Sequence, residues 1–325
     1  MSDSKRPVAL NVNMDSMREC MKLMGMDPKT LAADPSFFGV MDRFISIASE
    51  YGAKLTIFVI GKDLEDERNF DQVRKWSKLG HEIGNHTYSH HQSFGQLDSS
   101  GIRSEIRKAH DLIERCTGRA PVGFVAPAWS YSPLQIKELR SLGYLYDTSL
   151  FPSYLMPLIQ LMLKMRSKLP DTDIPLLRKD LPGSLIGSHT PFIASVNSPW
   201  RGNRSSGEGV LMMPLPTAMM RLPIWHTLAF CLPESIFMLL LRSSIRRNKY
   251  FYYLMHPADL TCIKSDLKNI SSMSGVERMS VEIGVKEEKL KRVLDVVAEH
   301  GRFVTMRELA EAALDEHTKK LHRVS

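Results

Sequence analysis

The sequence predicts an α/β fold built on a parallel sheet or barrel, and three observations carry this expectation. Apolar segments of strand length alternate with segments whose apolar residues recur at helical spacing, in units of roughly 25 to 35 residues. The alternation resumes near the C-terminus after a middle that breaks it. At 325 residues, 43% hydrophobic and 24% charged, the chain can bury one large α/β core, and no fixed-period repeat divides it.

Residues 8–15 open as a strand, apolar at alternating positions. Residues 37–51 place Phe38, Met41, Phe44, Ile45 and Ala48 at helical spacing. Residues 54–60 form a buried-type strand closed by Gly61. Helix is expected at 69–79, strand at 81–85 and helix at 101–116, followed by a short strand at 123–125. The helix expected at 132–142 carries Pro133 in its first turn, where a missing N–H does no harm. A brief strand at 145–147 follows it. The pattern returns with strand 250–255, helix 287–299, strand 303–305 and helix 306–314.

Residues 149–247 interrupt the rhythm. The segment 153–166 is apolar and Met-rich and runs into Lys164, Arg166 and Lys168, while 211–225 is apolar, punctuated by prolines and ended by Trp225. The segment 237–247 closes on Arg242, Arg246 and Arg247. An insert at 149–210 packs on the barrel as buried Leu and Met, or else forms an interfacial surface of apolar wedges flanked by Arg and Lys. Only 203–209, rich in Ser and Gly, is compositionally simple.

The 43 Lys and Arg against 36 Asp and Glu give +7, a modest excess that suits a phosphate-bearing partner or an anionic membrane surface. No dense basic block is interleaved with aromatics, which excludes nucleic acid. Cys20, Cys116, Cys231 and Cys262 show no CxxC spacing and are expected to be reduced thiols. The N-terminal residues lack the apolar core of a signal peptide, and the most apolar long run, 222–241, is broken by Pro223, His226, Pro233 and Glu234. These features predict a cytoplasmic protein without a transmembrane helix, with peripheral contact at the inner membrane face as an extension.

His86 and His90 follow a predicted strand and, four residues apart, can aim two imidazole nitrogens at one small volume. Alone the spacing is weak evidence, because such a pair is more often solvated. Asp15, at the end of the first strand, shares their edge in a parallel fold. One carboxylate and two imidazoles leave coordination positions open, the mark of a catalytic metal site over a closed structural one. The expected cofactor is one divalent ion, Zn first, with Co, Ni or Mn as alternatives. His256 ends another strand and suits a general acid that gives a proton to a leaving amine.

With these residues in view, the chain resembles the polysaccharide deacetylase (NodB homology, carbohydrate esterase 4) family of metal-dependent amide hydrolases. The resemblance covers 8–147 and 211–314 and implies a distorted (β/α) barrel, one catalytic domain over 1–325 with the apolar-basic insert outside the family pattern. The family's H-[ST]-x-x-H motif is matched by His86-Thr87-Tyr88-Ser89-His90, and its opening Asp motif by Asn13-Met14-Asp15, which implies metal ligation by Asp15, His86 and His90. Its L-x-x-H motif is matched by Tyr253-Leu254-Met255-His256, implying His256 as general acid. The segment 124–130 resembles the wall of the site; by motif position, Tyr88, Ala126, Pro127, Trp129 and Ser130 line the substrate pocket.

Two departures matter. The family's general base is the first Asp of the opening motif, here Asn13, and the Arg that orients it falls at Val125. The losses make sense together, since a buried Arg without its carboxylate would be an unpaired charge. An amide cannot take a proton from water, so metal activation suffices alone, His256 or His91 serves as base, or turnover is slow or absent. The resemblance implies removal of an acetyl or formyl group from an N-acylated amino sugar. A polyprenyl-phosphate carrier is the extension, resting on the insert, the missing export signal and relatives that act on such lipids. Two alternatives stay open: a family member that only binds a glycan or glycolipid, and a hydrolase of small cyclic or linear amides.

Overall fold

Val8, Leu10 and Val12 face one side of the first strand and Ala9 the other, and every residue from Val8 to Asn13 is buried. Burial on both faces is the condition of a parallel sheet covered by helices. The computed structural model describes residues 5–166, 181–202, 209–267 and 277–322. In chain order the elements are β1 (Arg6–Asn13), α1 (Met17–Leu23), α2 (Met41–Glu50), β2 (Leu55–Val59), α3 (Glu67–Lys78), β3 (Glu82–Asn85), α4 (Ser99–Thr117), β4 (Gly123–Phe124), α5 (Pro133–Ser141) and β5 (Tyr146–Asp147). They continue with α6 (Met156–Arg166), α7 (Leu181–Ile186), β6 (Phe192–Ala194), β7 (Val210–Met212), α8 (Glu234–Arg247), β8 (Phe251–Met255), α9 (Ile263–Asp266), α10 (Ile283–His300), β9 (Gly301–Val304) and α11 (Met306–His322).

The strands form one mixed sheet in the order β6-β7-β5-β4-β3-β2-β1-β8, with β9 also paired to β1. All pairings are parallel except β6 with β7. The sheet curls into a half-barrel, the (β/α)-barrel-like fold that the alternation predicts. The insert is not wholly outside it, since β6 lies within 149–210 and supplies the antiparallel edge. Residues 167–180 and 203–208, which include Lys168 and most of the Ser/Gly-rich stretch, lie outside the described residues.

Two apolar layers sandwich the sheet. One joins β1, β2 and β8 to α2, α3, α8 and α10, with Phe37 stacked on Trp76 at 5.8 Å. The other gathers Phe58, Tyr146, Tyr252 and Leu254 beneath Met306, Leu309 and Ala310 of α11. Helix starts follow their caps: Ser16 begins α1, Asp66 α3 and Asp98 α4, each side chain accepting a backbone N–H, an arrangement worth about 1 kcal/mol apiece.

Several boundaries differ from expectation, among them the start of α10 at Ile283 in place of 287. Strand β1 ends at Asn13, so Asp15 lies in the turn beyond it and strand alternation does not govern where its side chain points. The helix expected from 37 starts at Met41, because Phe38 is extended and Gly39 has a φ of 104°. Helix α11 runs to His322 in place of 314. The four cysteines are free thiols. Among the described residues no helix is long and apolar enough to cross a membrane.

The core also sets an acid limit. His81 Nδ1 accepts the Leu55 N–H at 3.0 Å, a role open only to the neutral ring, and burial followed by the nearby Lys54 charge holds its pKa down at about 4. Complete burial does the same to His226, again to about 4. The unfolded chain takes up these protons near pH 6.5 and the folded chain only near 4, so stability falls as pH drops through that window. The midpoint of thermal unfolding is expected to decline between pH 6.5 and 4, less steeply in His81→Gln; an equal slope in the two proteins would assign the decline elsewhere.

Candidate metal centre and active site

The parallel register delivers the site to one edge of the sheet. Val12 pairs with Met255, and Val59 with Asn85, so the residues leaving the carboxyl ends of β8, β1, β2 and β3 emerge side by side. Those residues are His256, Asn13 with Asp15, Ile60 and His86. Asp15 and His86 are far apart in sequence, yet Asp15 Oδ1 stands 3.1 Å from His86 Nε2 and 3.2 Å from His90 Nε2. One ligand atom from each of the three residues lies within 4.8 Å of the others.

The turn that carries the histidines is tightly held. Thr87 and His90 have left-handed φ values of 64° and 56°, a conformation that non-glycine residues keep only when their surroundings impose it. Asn85 Oδ1 accepts the Thr87 N–H at 2.8 Å, and Glu105 of α4 accepts both the N–H and the hydroxyl of Ser89 at 2.8 Å. His86 Nδ1 donates to the Val125 carbonyl at 2.8 Å, which fixes the tautomer and leaves Nε2 with a free lone pair. Around His90 Nδ1, the Gln92 amide lies at 3.3 Å and Glu19 Oε2 at 3.9 Å.

The charges agree with a cation site. Burial holds the His86 pKa down, while Asp15 overcomes burial to raise that of His90. Against its own burial, Asp15 is drawn well below the carboxylate range by the two imidazoles. His90 Nε2 is buried and makes no hydrogen bond. An anionic oxygen and two inward-facing imidazole nitrogens are the donor set of Zn and its neighbours, so the residues fit a divalent ion.

Asn13 is buried at the same edge, beside the strand that ends in His256. Asp259 Oδ2 accepts the His256 N–H at 2.9 Å and stands 3.9 Å from its Nδ1; Oδ1 accepts the Thr227 hydroxyl at 2.9 Å and forms an ion pair with Arg278, 3.0 Å from its Nε. Burial pushes Asp259 upward, but Arg278, His226 and His256 outweigh it and keep the carboxylate ionised. The spacing His256-Pro257-Ala258-Asp259 held a signal for this partner, a cap three residues on. Glu19, four residues past Asp15, carried a weaker one. Asp259→Asn is expected to lower kcat about tenfold with little change in KM and to cost a few degrees in Tm, because Arg278 loses its counter-charge. Unchanged kcat at full metal occupancy would remove Asp259 from any role in placing His256.

The expected pocket wall divides. The Trp129 ring is 6.5 Å from His256 and packs on Phe151 at 4.8 Å and Trp225 at 5.8 Å; Ala128 and Trp129 hold φ values of 48° and 50°. Ala126 and Pro127 are buried. Ser130 is fully buried with its hydroxyl accepting the Gly95 N–H at 2.9 Å, so it braces a loop and does not line an open pocket. Tyr88 also turns elsewhere: its hydroxyl donates to Glu65 at 2.6 Å and its ring lies under Lys108. His91 Nδ1 accepts the Ser93 N–H at 3.1 Å within its own turn. Trp225 is the aromatic that motif position alone did not single out.

A curled half-barrel with two histidines, a carboxylate and a further histidine at its carboxyl edge defines a (β/α)-barrel-like protein with a candidate open metal site. Residues 34–146 match the model of the polysaccharide deacetylase family. The match contains His86, His90 and Trp129; Asn13, Asp15 and His256 fall outside it. A peptidoglycan deacetylase of Helicobacter pylori is 32% identical over 108 residues, 33% of this chain and 36% of that protein. A chitin deacetylase of Arthroderma benhamiae is 32% identical over 116 residues, 35% of this chain and 31% of that protein. The chain thus spans about a third of the length of each of these relatives. A crystal structure described as a polysaccharide deacetylase from Mycobacterium smegmatis shares the fold, with a TM-score of 0.57 at 16% identity, covering 97% of this chain and 93% of that one.

Proposed function

We propose that this chain is a carbohydrate deacetylase, a metal-dependent hydrolase that removes an acetyl or formyl group from an N-acylated amino sugar. Its substrate is carried on a polyprenyl phosphate and met at the cytoplasmic face of a membrane. The observation that carries the chemistry is the convergence of Asp15, His86 and His90, whose ligand atoms lie within 4.8 Å of one another. A divalent ion held by these three residues would polarise the acyl carbonyl and bring a water towards ionisation near neutral pH.

The protein's own groups account for the rest. Val125 O holds His86 in the ligating tautomer. His256, beside Asn13 across the β8–β1 pairing, is the proton donor to the sugar nitrogen as the C–N bond breaks. Asn13 offers an amide hydrogen bond where a carboxylate would take the proton, so base assistance is the weakest part of this machinery. The Trp129, Phe151 and Trp225 rings give the sugar or the start of its carrier an apolar wall. Relatives named as peptidoglycan and chitin deacetylases support an acetylated sugar; the apolar-basic residues of 149–247 support the lipid. Arg246 and Arg247 are exposed and available to a phosphate, whereas Arg242 is paired with Glu299 at 2.7 Å.

A second account, a member that binds the glycolipid without turning it over, is favoured by Asn13 and by buried, apolar Val125 in place of the family's acid and Arg. Hydrolysis of a polyprenyl-phosphate N-acylated amino sugar by the metal-loaded protein, followed as acetate or formate by mass, separates the two. Release that a chelator stops and zinc restores supports the hydrolase. Tight substrate binding with no release supports the binding protein.

A further inference from the structure

Part of the middle segment turns apolar side chains outward. On α6, Leu158, Leu161, Met162 and Met165 lie three and four residues apart and are 42 to 77% exposed, while Gln160 is buried. An amphipathic helix normally does the reverse, so this stripe is shaped for a partner. Thr217 and Pro223 form an antiparallel bridge, and Ala218 N–H donates to the Leu222 carbonyl at 2.7 Å, which pinches residues 217–223 into a tight hairpin. Its tip holds Met220 and Arg221 at φ 55°, two consecutive left-handed non-glycine residues, and presents Met219 and Met220 at 57% and 82% exposure. Strain kept in order to display two methionines to solvent needs a function.

Tip and stripe belong to one surface. Arg221 donates to the Leu185 carbonyl at the end of α7 at 3.0 Å, and its guanidinium covers the Tyr154 ring just before α6 at 5.1 Å. Arg201 donates to the next carbonyl, that of Ile186, at 2.5 Å. The segment that builds this surface is basic overall. Across residues 149–233 eight Lys and Arg stand against four acids, and Arg201 and Arg221 lie on the described surface. Two residues beyond the hairpin, Trp225 packs against Trp129, whose ring reaches His256.

We infer that the Met219–Met220 tip and the outer face of α6 form a wedge that enters the interface of an anionic bilayer. There it delivers the aromatic wall of the site to a lipid-borne substrate. A protein partner would bring acids to Arg201 and Arg221 one at a time; an anionic headgroup layer satisfies both while the Leu and Met side chains enter the acyl region. This deepens the lipid-linked proposal above and rests on it for the substrate, though not for the membrane contact.

The test is co-sedimentation of the full chain with vesicles of phosphatidylcholine alone and of equimolar phosphatidylcholine and phosphatidylglycerol. Binding is expected to the anionic vesicles only, weakening as salt rises. Met219→Ser with Met220→Ser should reduce partitioning about tenfold or more, through two lost apolar insertions. Leu134→Ser, at an exposed apolar position on α5, should change nothing. Wild type left in the supernatant with both vesicles, or a double variant that binds like wild type, overturns the inference. So does a stable dimer in sedimentation velocity that Leu158→Ser with Met165→Ser dissolves, because a second copy would then own the surface. Zinc affinity and hydrolysis of a short water-soluble N-acetylated amino sugar are measured in parallel. A variant that loses vesicles but keeps both supports the wedge, while silent wild type that still binds vesicles counts against the hydrolase alone.

Discussion

Exchange of His86 for alanine is expected to abolish zinc binding at micromolar metal and to lower kcat/KM by about 10³-fold or more. The estimate follows from the role of a Lewis acid, worth several kcal/mol of transition-state stabilisation; about 4 kcal/mol is a thousandfold in rate. His86 is 1% exposed and bonded to Val125 O, so alanine also leaves a small buried void and an unpaired carbonyl. His86→Gln serves as the control: it fills the space and can donate to Val125 O, but it is a poor ligand. Metal binding lost in both, with the thermal transition preserved in the glutamine variant, places the defect in ligation. Retention of zinc and turnover by His86→Gln would remove His86 from the metal site, and with it the assignment of Asp15, whose carboxylate shares the same volume.

Asn13→Asp is expected to raise kcat/KM by about 10²-fold, at the lower end of what a general base supplies. The position is right, since Asn13 is the last residue of β1 and its carbonyl accepts the Asp15 N–H at 2.8 Å, which keeps the two residues together. The gain stays modest because Val125 leaves the new carboxylate without a guanidinium to orient it. Steady-state assays of both proteins at saturating zinc check this. Equal rates would mean that proton removal from water does not limit turnover. Activity confined to Asn13→Asp would make the natural protein a binder that keeps the fold of a hydrolase. Silence in both, with zinc bound normally, would exclude the substrate class.

Much of the candidate site was legible because its proposed ligands sit where chain-local patterns end. Strand-length runs finishing at Asn13, Asn85 and Met255 are visible as apolar periodicity, and a parallel sheet gathers such ends on one edge whatever the intervening loops do. The departures at Asn13 and Val125 were equally plain. Pocket lining was less so: Tyr88 and Ser130 occupy motif positions, yet their hydroxyls are engaged by Glu65 and Gly95, and position in a motif does not report where a side chain turns.

The sequence by itself determined the βα order, the HxxxH pair, the carboxylate and histidine that accompany it, and the amide at Asn13 where the resemblance expects a carboxylate, because all of these are properties of residue type and spacing. Only the tertiary structure decided that Asp15 meets both imidazoles, that Val125 serves through its carbonyl, and that Asp259 and Arg278 stand behind His256. Those contacts join residues that are distant in the chain, and strand register and packing set them. The same holds for α6. Its composition shows that it has an apolar stripe, but a stripe is buried only if something covers it, and among the described residues nothing covers Leu158 and Met165. Coverage depends on neighbours, and local periodicity carries no information about them.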